Sequence, residues 1–119
     1  ILLLVCFDRR SSTGQAVTDA GKFVVNLLSA DQVDLSNHFA SSEHNADFDR
    51  WPYTLSEGGI PILDGGIGHL ECTVAQEFDG GDHAIVIGEV HACSAREGAP
   101  LLYFRGRYRE MAEPETENQ

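Results

Sequence analysis

Three glycine-bearing turn signals do most to limit what this chain can fold into. Asp64-Gly65-Gly66, Asp79-Gly80-Gly81-Asp82 and Arg96-Glu97-Gly98 punctuate stretches in which apolar and polar residues alternate. A period of two puts alternate side chains on opposite faces of a strand, and a short turn joins strands only in antiparallel fashion, because parallel neighbours need a long crossover. From Ile60 onward the sequence therefore predicts an antiparallel meander of one short strand and three longer ones.

The front half reads differently. Ile1 to Phe7 is an unbroken apolar run that stops at Asp8-Arg9-Arg10, the pattern of a central strand buried on both faces that emerges into a polar loop. Ser12 with Gln15 has capping-box spacing and Gly21 supplies a stop, giving one short helix; Lys22 to Leu28 follows as a strand. Ser29 with Gln32 repeats the spacing before a stripe of Val33, Leu35, Phe39 and Ala40, so a second helix should end near Ala40. Residues 41–59 have no clean period and carry Phe48, Trp51 and Tyr53, which suggests a long surface loop with its aromatics tucked beneath. About six strands and two short helices are accommodated most economically by a small barrel, since closure removes exposed edges. Residues 1–111 form one domain on this reading, and the acidic stretch 112–119 is expected to be a disordered tail.

Charge and hydropathy narrow the partners. A net charge of -11 opposes affinity for nucleic acid or anionic lipid. No apolar run approaches the roughly 20 residues that span a bilayer, so no membrane segment is expected. The chain has no signal-peptide features and begins with Ile rather than Met, which suggests a sequence cut from within a longer one. Cys6, Cys72 and Cys93 form no CxxC pair and fall within expected strands, which points to buried free thiols and a reducing cytoplasm.

Four groups of residues could carry chemistry, each with a plainer structural alternative. Gly80-Gly81-Asp82-His83 delivers a carboxylate and an imidazole to the lip of a strand, where the imidazole could bond a ligand amide or pass a proton; the alternative is an ordinary hairpin turn. Tyr103-Phe104-Arg105-Gly106-Arg107-Tyr108 alternates rings with guanidinium groups, suited to planar rings and phosphate, or is simply an amphipathic final strand. His69, Glu71, Glu89 and His91 could project from neighbouring strands toward a metal, or decorate the wet face of the meander. Asp8-Arg9-Arg10-Ser11-Ser12-Thr13 offers hydroxyls and helix N-terminal amides as an anion cradle, or ordinary capping by Ser12.

Taken in order, Val5 to Thr13, Gly21-Lys22-Phe23-Val24-Val25-Asn26-Leu27-Leu28, Gln32, Leu35-Ser36, Phe39-Ala40, Gly80-Gly81-Asp82-His83, Gly88-Glu89-Val90 and Leu101 to Tyr108 resemble the short-chain flavin reductase family over nearly the whole chain. The resemblance implies a mainly β fold, a small antiparallel split β-barrel with two short helices that binds FMN. It further implies a homodimer and an NAD(P)H:flavin oxidoreductase that passes hydride to FMN or FAD and feeds reduced flavin to a partner monooxygenase component. It places Asp82 and His83 at the nicotinamide cofactor, with His83 as the catalytic candidate and no metal. Ser11 and Thr13 would lie near the flavin phosphate or ribityl chain, Phe39 and Ala40 would border the flavin, and Arg105 and Tyr108 would line the mouth of the site. Such proteins begin with a further strand and a Ser/Thr-rich flavin-binding segment that this sequence lacks; without them an unpaired edge would lie beside Ile1 to Phe7. Two other readings remain open on sequence: a non-catalytic flavin- or haem-binding module on the same barrel, and a metal-dependent small-barrel enzyme using the His69 quartet.

Overall fold

The computed structural model describes residues 1–41 and 48–112. The expected tail, apart from Ala112, and part of the expected 41–59 loop lie outside the described residues. Strand β1 (Leu2–Asp8), helix α1 (Ser12–Ala20), β2 (Lys22–Leu27) and helix α2 (Val33–Ala40) are followed by a 3-10 turn at Phe48–Arg50. Then come β3 (Tyr53–Leu55), β4 (Pro61–Leu63), β5 (Gly68–Gly80), β6 (His83–Ala95), β7 (Leu102–Phe104) and β8 (Arg107–Arg109). The main sheet is antiparallel in the order β1-β6-β5-β2, with β3-β4 and β7-β8 as separate hairpins. The fold is mainly β with two short helices, as expected, and among the described residues the four-stranded antiparallel sheet forms a half-barrel.

The long β5–β6 hairpin is the axis of the molecule, each strand running 13 residues. Its inner face carries Cys72 and Val86, which with Phe23 from β2 and Val17 from α1 form the buried core; Leu3, Val5 and Phe7 of β1 pack against it. Helix α1 approaches β1 closely at Gly14, where a Cβ would stand 2.8 Å from that of Phe7. The helix is capped by Ser11, one residue earlier than the spacing predicts: its Oγ accepts from the amides of Thr13 and Gly14, while Gln15 bonds Asp19 instead of reaching back. Gly21 closes the helix in the left-handed region, its N–H donating to the Val17 carbonyl.

Several expectations need correction. Among the described residues strand β1 pairs with β6 alone and stands at the edge of the sheet, where the apolar run predicts a central strand. Its odd-numbered residues face the core, whereas Leu2 and Leu4 are 65% and 58% exposed. An apolar run looks the same whether a strand is covered on both faces or presents one apolar face outward, which is why the pattern misleads. The stretch 101–108 is not one strand: Arg105 (φ 54°) and Gly106 (φ 78°) form a two-residue turn between β7 and β8. Within 41–59, β3 pairs with β4, and Phe39, Phe48 and Tyr53 stack successively, with centroids 4.9 and 5.8 Å apart. All three cysteines are free thiols, but only Cys72 is buried, because Cys6 lies on the uncovered face of the edge strand and Cys93 is also exposed.

Candidate functional site

The register of β1 on β6 decides where the chemistry collects. Asp8 is the ladder partner of His83, so the loop that follows β1 and the turn that precedes β6 meet at one end of the sheet. Gly81 (φ 76°) allows the tight β5–β6 turn, and the side chain of Asp82 accepts at 2.8 Å from the Nδ1 side of His83. An Nδ1–H donated to that carboxylate leaves Nε2 as the free acceptor of a half-exposed imidazole. The main-chain N–H of Arg9 donates to the Asp82 carbonyl at 2.9 Å, which ties the two segments together.

The carboxylate of Asp8 is held entirely by its neighbour but one. Oδ1 accepts from the Arg10 main-chain N–H and Nε, and Oδ2 from Nη2 at 3.0 Å. These bonds to Arg10, first among them those from the side chain, lower the Asp8 pKa from 3.8 to about 2. Stabilisation from a depressed carboxyl is complete above its ordinary pKa and disappears as pH falls through the folded value. Between about pH 4 and pH 2 the melting temperature should therefore fall less steeply for Asp8→Asn than for the unmodified chain; parallel acid limbs in a calorimetric pH series would contradict the assignment.

A shallow groove of about 110 Å³ lies beside this junction, lined by Phe7, Asp8, Arg9, Gly14, Thr18 and Ala84 among others. Ser11 and Thr13 stand at the start of α1 next to it, but the amides of Thr13 and Gly14 already bond the Ser11 hydroxyl oxygen, so they are not free for an anion. What Ser11 and Thr13 offer is hydroxyl groups. Through Asp8 and Arg9 the loop that leads to Ser11 and Thr13 meets the turn that carries Asp82 and His83, two groups whose spacing in sequence left them separate.

Phe39, Ala40, Arg105 and Tyr108 form a second group elsewhere. The Tyr108 hydroxyl lies 2.9 Å from Ser36 Oγ and 3.0 Å from Asn37 Oδ1, clamping β8 to α2 rather than opening onto His83. Arg105 sits over the Phe104 ring at 5.6 Å. The Leu101 N–H donates to the Leu28 carbonyl, just beyond the end of β2 where Leu27 pairs with Gly68. Gly68 faces Ala95 at one end of the β5–β6 ladder and Gly80 faces His83 at the other. At about 3.3 Å per residue the two ends are roughly 40 Å apart along the strands.

The same register keeps Glu89 and His91 together, 3.7 Å apart, and leaves His69 and Glu71 with other ladder partners. His69 faces Ser94, Glu71 faces Ala92 and Glu89 faces Thr73, while a bulge displaces His91. Glu71 accepts from the Gly58 N–H, and His91 lies 2.7 Å from the Thr73 hydroxyl. Among the described residues no three His, Cys, Asp or Glu side chains gather into a metal-binding group.

The flavin reductase like domain family matches residues 1–112. The chain belongs to the flavin reductase-like family. Among similar proteins, this flavin reductase-like chain is 41% identical over 110 residues to the reductase subunit of a flavin-dependent monooxygenase from Mycobacterium tuberculosis, covering 90% of this chain and 58% of that one. It superposes on a nitrilotriacetate monooxygenase component B homologue from Mycobacterium thermoresistibile with a TM-score of 0.89 and 38% identity, covering 99% of this chain and 66% of that one. A Streptomyces globisporus NADH:FAD oxidoreductase, solved with NAD and FAD fragments, gives a TM-score of 0.85 at 35% identity, covering 98% of this chain and 70% of that one. The chain spans about three fifths of the length of such curated relatives as the Mycobacterium tuberculosis reductase subunit and a Rhodococcus NADH-dependent flavin reductase. These likenesses identify the half-barrel as a flavin reductase split-barrel fold.

Sequence reasoning placed Arg9 in the candidate anion cradle and Asp79 in a turn, and missed that the two pair. The Arg9 guanidinium donates from Nε to the Gly81 carbonyl at 2.8 Å and from Nη2 to Asp79 Oδ1 at 2.6 Å, bonds across 70 or more residues that no local pattern announces.

Proposed function

We propose that the chain is the body of an NAD(P)H:flavin oxidoreductase that passes hydride from a nicotinamide cofactor to FMN or FAD and supplies reduced flavin to a flavin-dependent monooxygenase component. The observation that carries this reading is the meeting of the Ser11–Thr13 loop with the Asp82–His83 pair at one ladder end. The names of the relatives, a monooxygenase reductase subunit and an NADH:FAD oxidoreductase, support the same reaction.

The residues fit the polar ends of the two cofactors. Hydroxyls at Ser11 and Thr13 suit a flavin phosphate or ribityl chain, and the free Nε2 of His83, oriented by Asp82, suits a nicotinamide carboxamide or its pyrophosphate. When bound, the nicotinamide supplies the hydride and the flavin accepts it. The protein binds and orients: His83 positions the dinucleotide and is not an obligatory acid. Grooves of about 110 and 120 Å³ fall short of the roughly 300 Å³ or more of a site that encloses a ring system, so another wall must complete the slot.

A homodimer supplies that wall in this reading. Leu2, Leu4 and Phe78 are exposed on the β1-β6-β5 sheet, where Leu4 pairs with Ile87 and Ile85 with both Cys6 and Phe78, making one apolar face suited to a second copy. The second copy would bring Phe39, Ala40, Arg105 and Tyr108, remote within one chain, to the His83 end. No helix among the described residues is long and apolar enough to cross a membrane, and three free thiols suit the cytoplasm.

Anaerobic mixing of the full-length protein with FMN and NADH tests the reaction. Bleaching of the flavin absorbance in repeated turnovers is the expected result. A protein that turns yellow with flavin and oxidises no NADH would overturn it in favour of a carrier.

A further inference from the structure

The turn that carries Asp82 and His83 is closed by the Gly80–His83 ladder pair and is also held from outside, against the end of β1. Gly81, at φ 76°, gives it little torsional stiffness, and its carboxylate is exposed while its imidazole is half-exposed. Beyond the β1–β6 ladder, which pairs His83 with Asp8, three hydrogen bonds from Arg9 brace it from outside among the described residues. The main-chain N–H reaches the Asp82 carbonyl at 2.9 Å, Nε reaches the Gly81 carbonyl at 2.8 Å, and Nη2 reaches Asp79 Oδ1 at 2.6 Å. The neighbouring Arg10 has a separate task, since its guanidinium is spent on Asp8.

We propose that Arg9 is a positioning residue that fixes the Asp79–His83 turn against the loop bearing Ser11 and Thr13, and so sets the nicotinamide subsite relative to the flavin subsite. This rests on the role given to His83 above. Two contacts of the guanidinium use adjacent faces of its planar fork: Nε lies along one carbonyl and Nη2 along one carboxylate. A lysine ammonium, a single point of charge on a flexible stem, cannot hold that pair of directions. The Arg9–Asp79 ion pair is exposed, with side chains 47% and 83% accessible, so its contribution to overall stability is small and its value is geometric. Flavin affinity should be indifferent to Arg9, because the Ser11–Thr13 loop is held by its own cap and by the Asp8–Arg10 bonds.

The test is a double-mutant cycle with an independent spectroscopic readout. Arg9→Met and Arg9→Lys should each raise the Michaelis constant for NADH about tenfold, the worth of one charge-assisted hydrogen bond, with flavin Kd and melting temperature nearly unchanged. Arg9→Met combined with His83→Ala should be no worse than His83→Ala alone, since Arg9 acts through that side chain. Imidazole nitrogen NMR should show His83 losing its preference for the Nδ1–H tautomer in Arg9→Met. Multiplicative kinetic losses, or an unaltered tautomer signal in Arg9→Met, would overturn the proposal. If His83→Ala itself leaves kinetics unchanged while Arg9→Met shifts the tautomer, the brace stands and the reading of His83 falls.

Discussion

His83→Ala is expected to raise the Michaelis constant for NADH by about tenfold to a hundredfold, the range for losing a hydrogen bond that involves a charged partner, and to leave that for flavin nearly unchanged. The asymmetry follows from the geometry. The imidazole is oriented through Nδ1 by Asp82, so Nε2 is the atom left for a ligand. Ser11 and Thr13 lie at the start of α1, after β1, where the Ser11 cap holds the chain through contacts that do not involve the histidine. Folding should be almost unaffected, because His83 is 42% exposed and the one hydrogen bond its side chain makes among the described residues is to an exposed carboxylate. Steady-state kinetics with each substrate varied in turn decide the matter: equal losses for both would mean general damage to the site, and no loss for either would remove His83 from it.

Gly88→Ala should be the most destabilising single-methyl change at the centre of the sheet. A Cβ at that position would stand 2.6 Å from Phe23 Cζ and 3.0 Å from both Phe23 Cε1 and Cys72 Cβ. Phe23 cannot simply swing away, since it is 6% exposed and its ring meets that of Phe7 edge-on at 6.5 Å. Cys72 is 1% exposed and lies on the paired strand β5. Overpacking of this kind costs about 1–3 kcal/mol. In a chain this small that lowers the melting temperature by several degrees for each kcal/mol. Thermal or urea unfolding measures the loss, and Phe23→Leu in the same background should recover part of it by shortening the ring. An unaltered unfolding midpoint for Gly88→Ala would contradict the packing described.

How far the sequence reveals this molecule depends on whether a feature is local. Helix α1 ends where Gly21 stands because a residue at ease with positive φ closes a helix in that way, and the β5–β6 turn falls at Gly81-Asp82 for a related reason, Gly81 having φ 76°. By contrast, the Arg105-Gly106 turn escapes notice: arginine is uncommon at positive φ, so a lone glycine between arginines passes for an irregularity in a strand. Whether β1 is central or at the edge is equally invisible, since leucines at alternate positions report apolarity and not what covers it. The site shows the limit most clearly. Asp8 and His83 are 75 positions apart by their numbers, and only the β1–β6 register joins the loop of one to the turn of the other. The same register carries Phe39 and Tyr108 away to the far end, a separation that an ordered series of motifs along a chain cannot express.

The most direct measurement is a crystal structure of the protein with NAD and flavin bound together. The imidazole Nε2 of His83 should lie within hydrogen-bond reach of the nicotinamide carboxamide or the pyrophosphate, beside the turn braced by Arg9. A dinucleotide bound at the Gly68–Ala95 end of the hairpin, with His83 facing only water, would contradict the account.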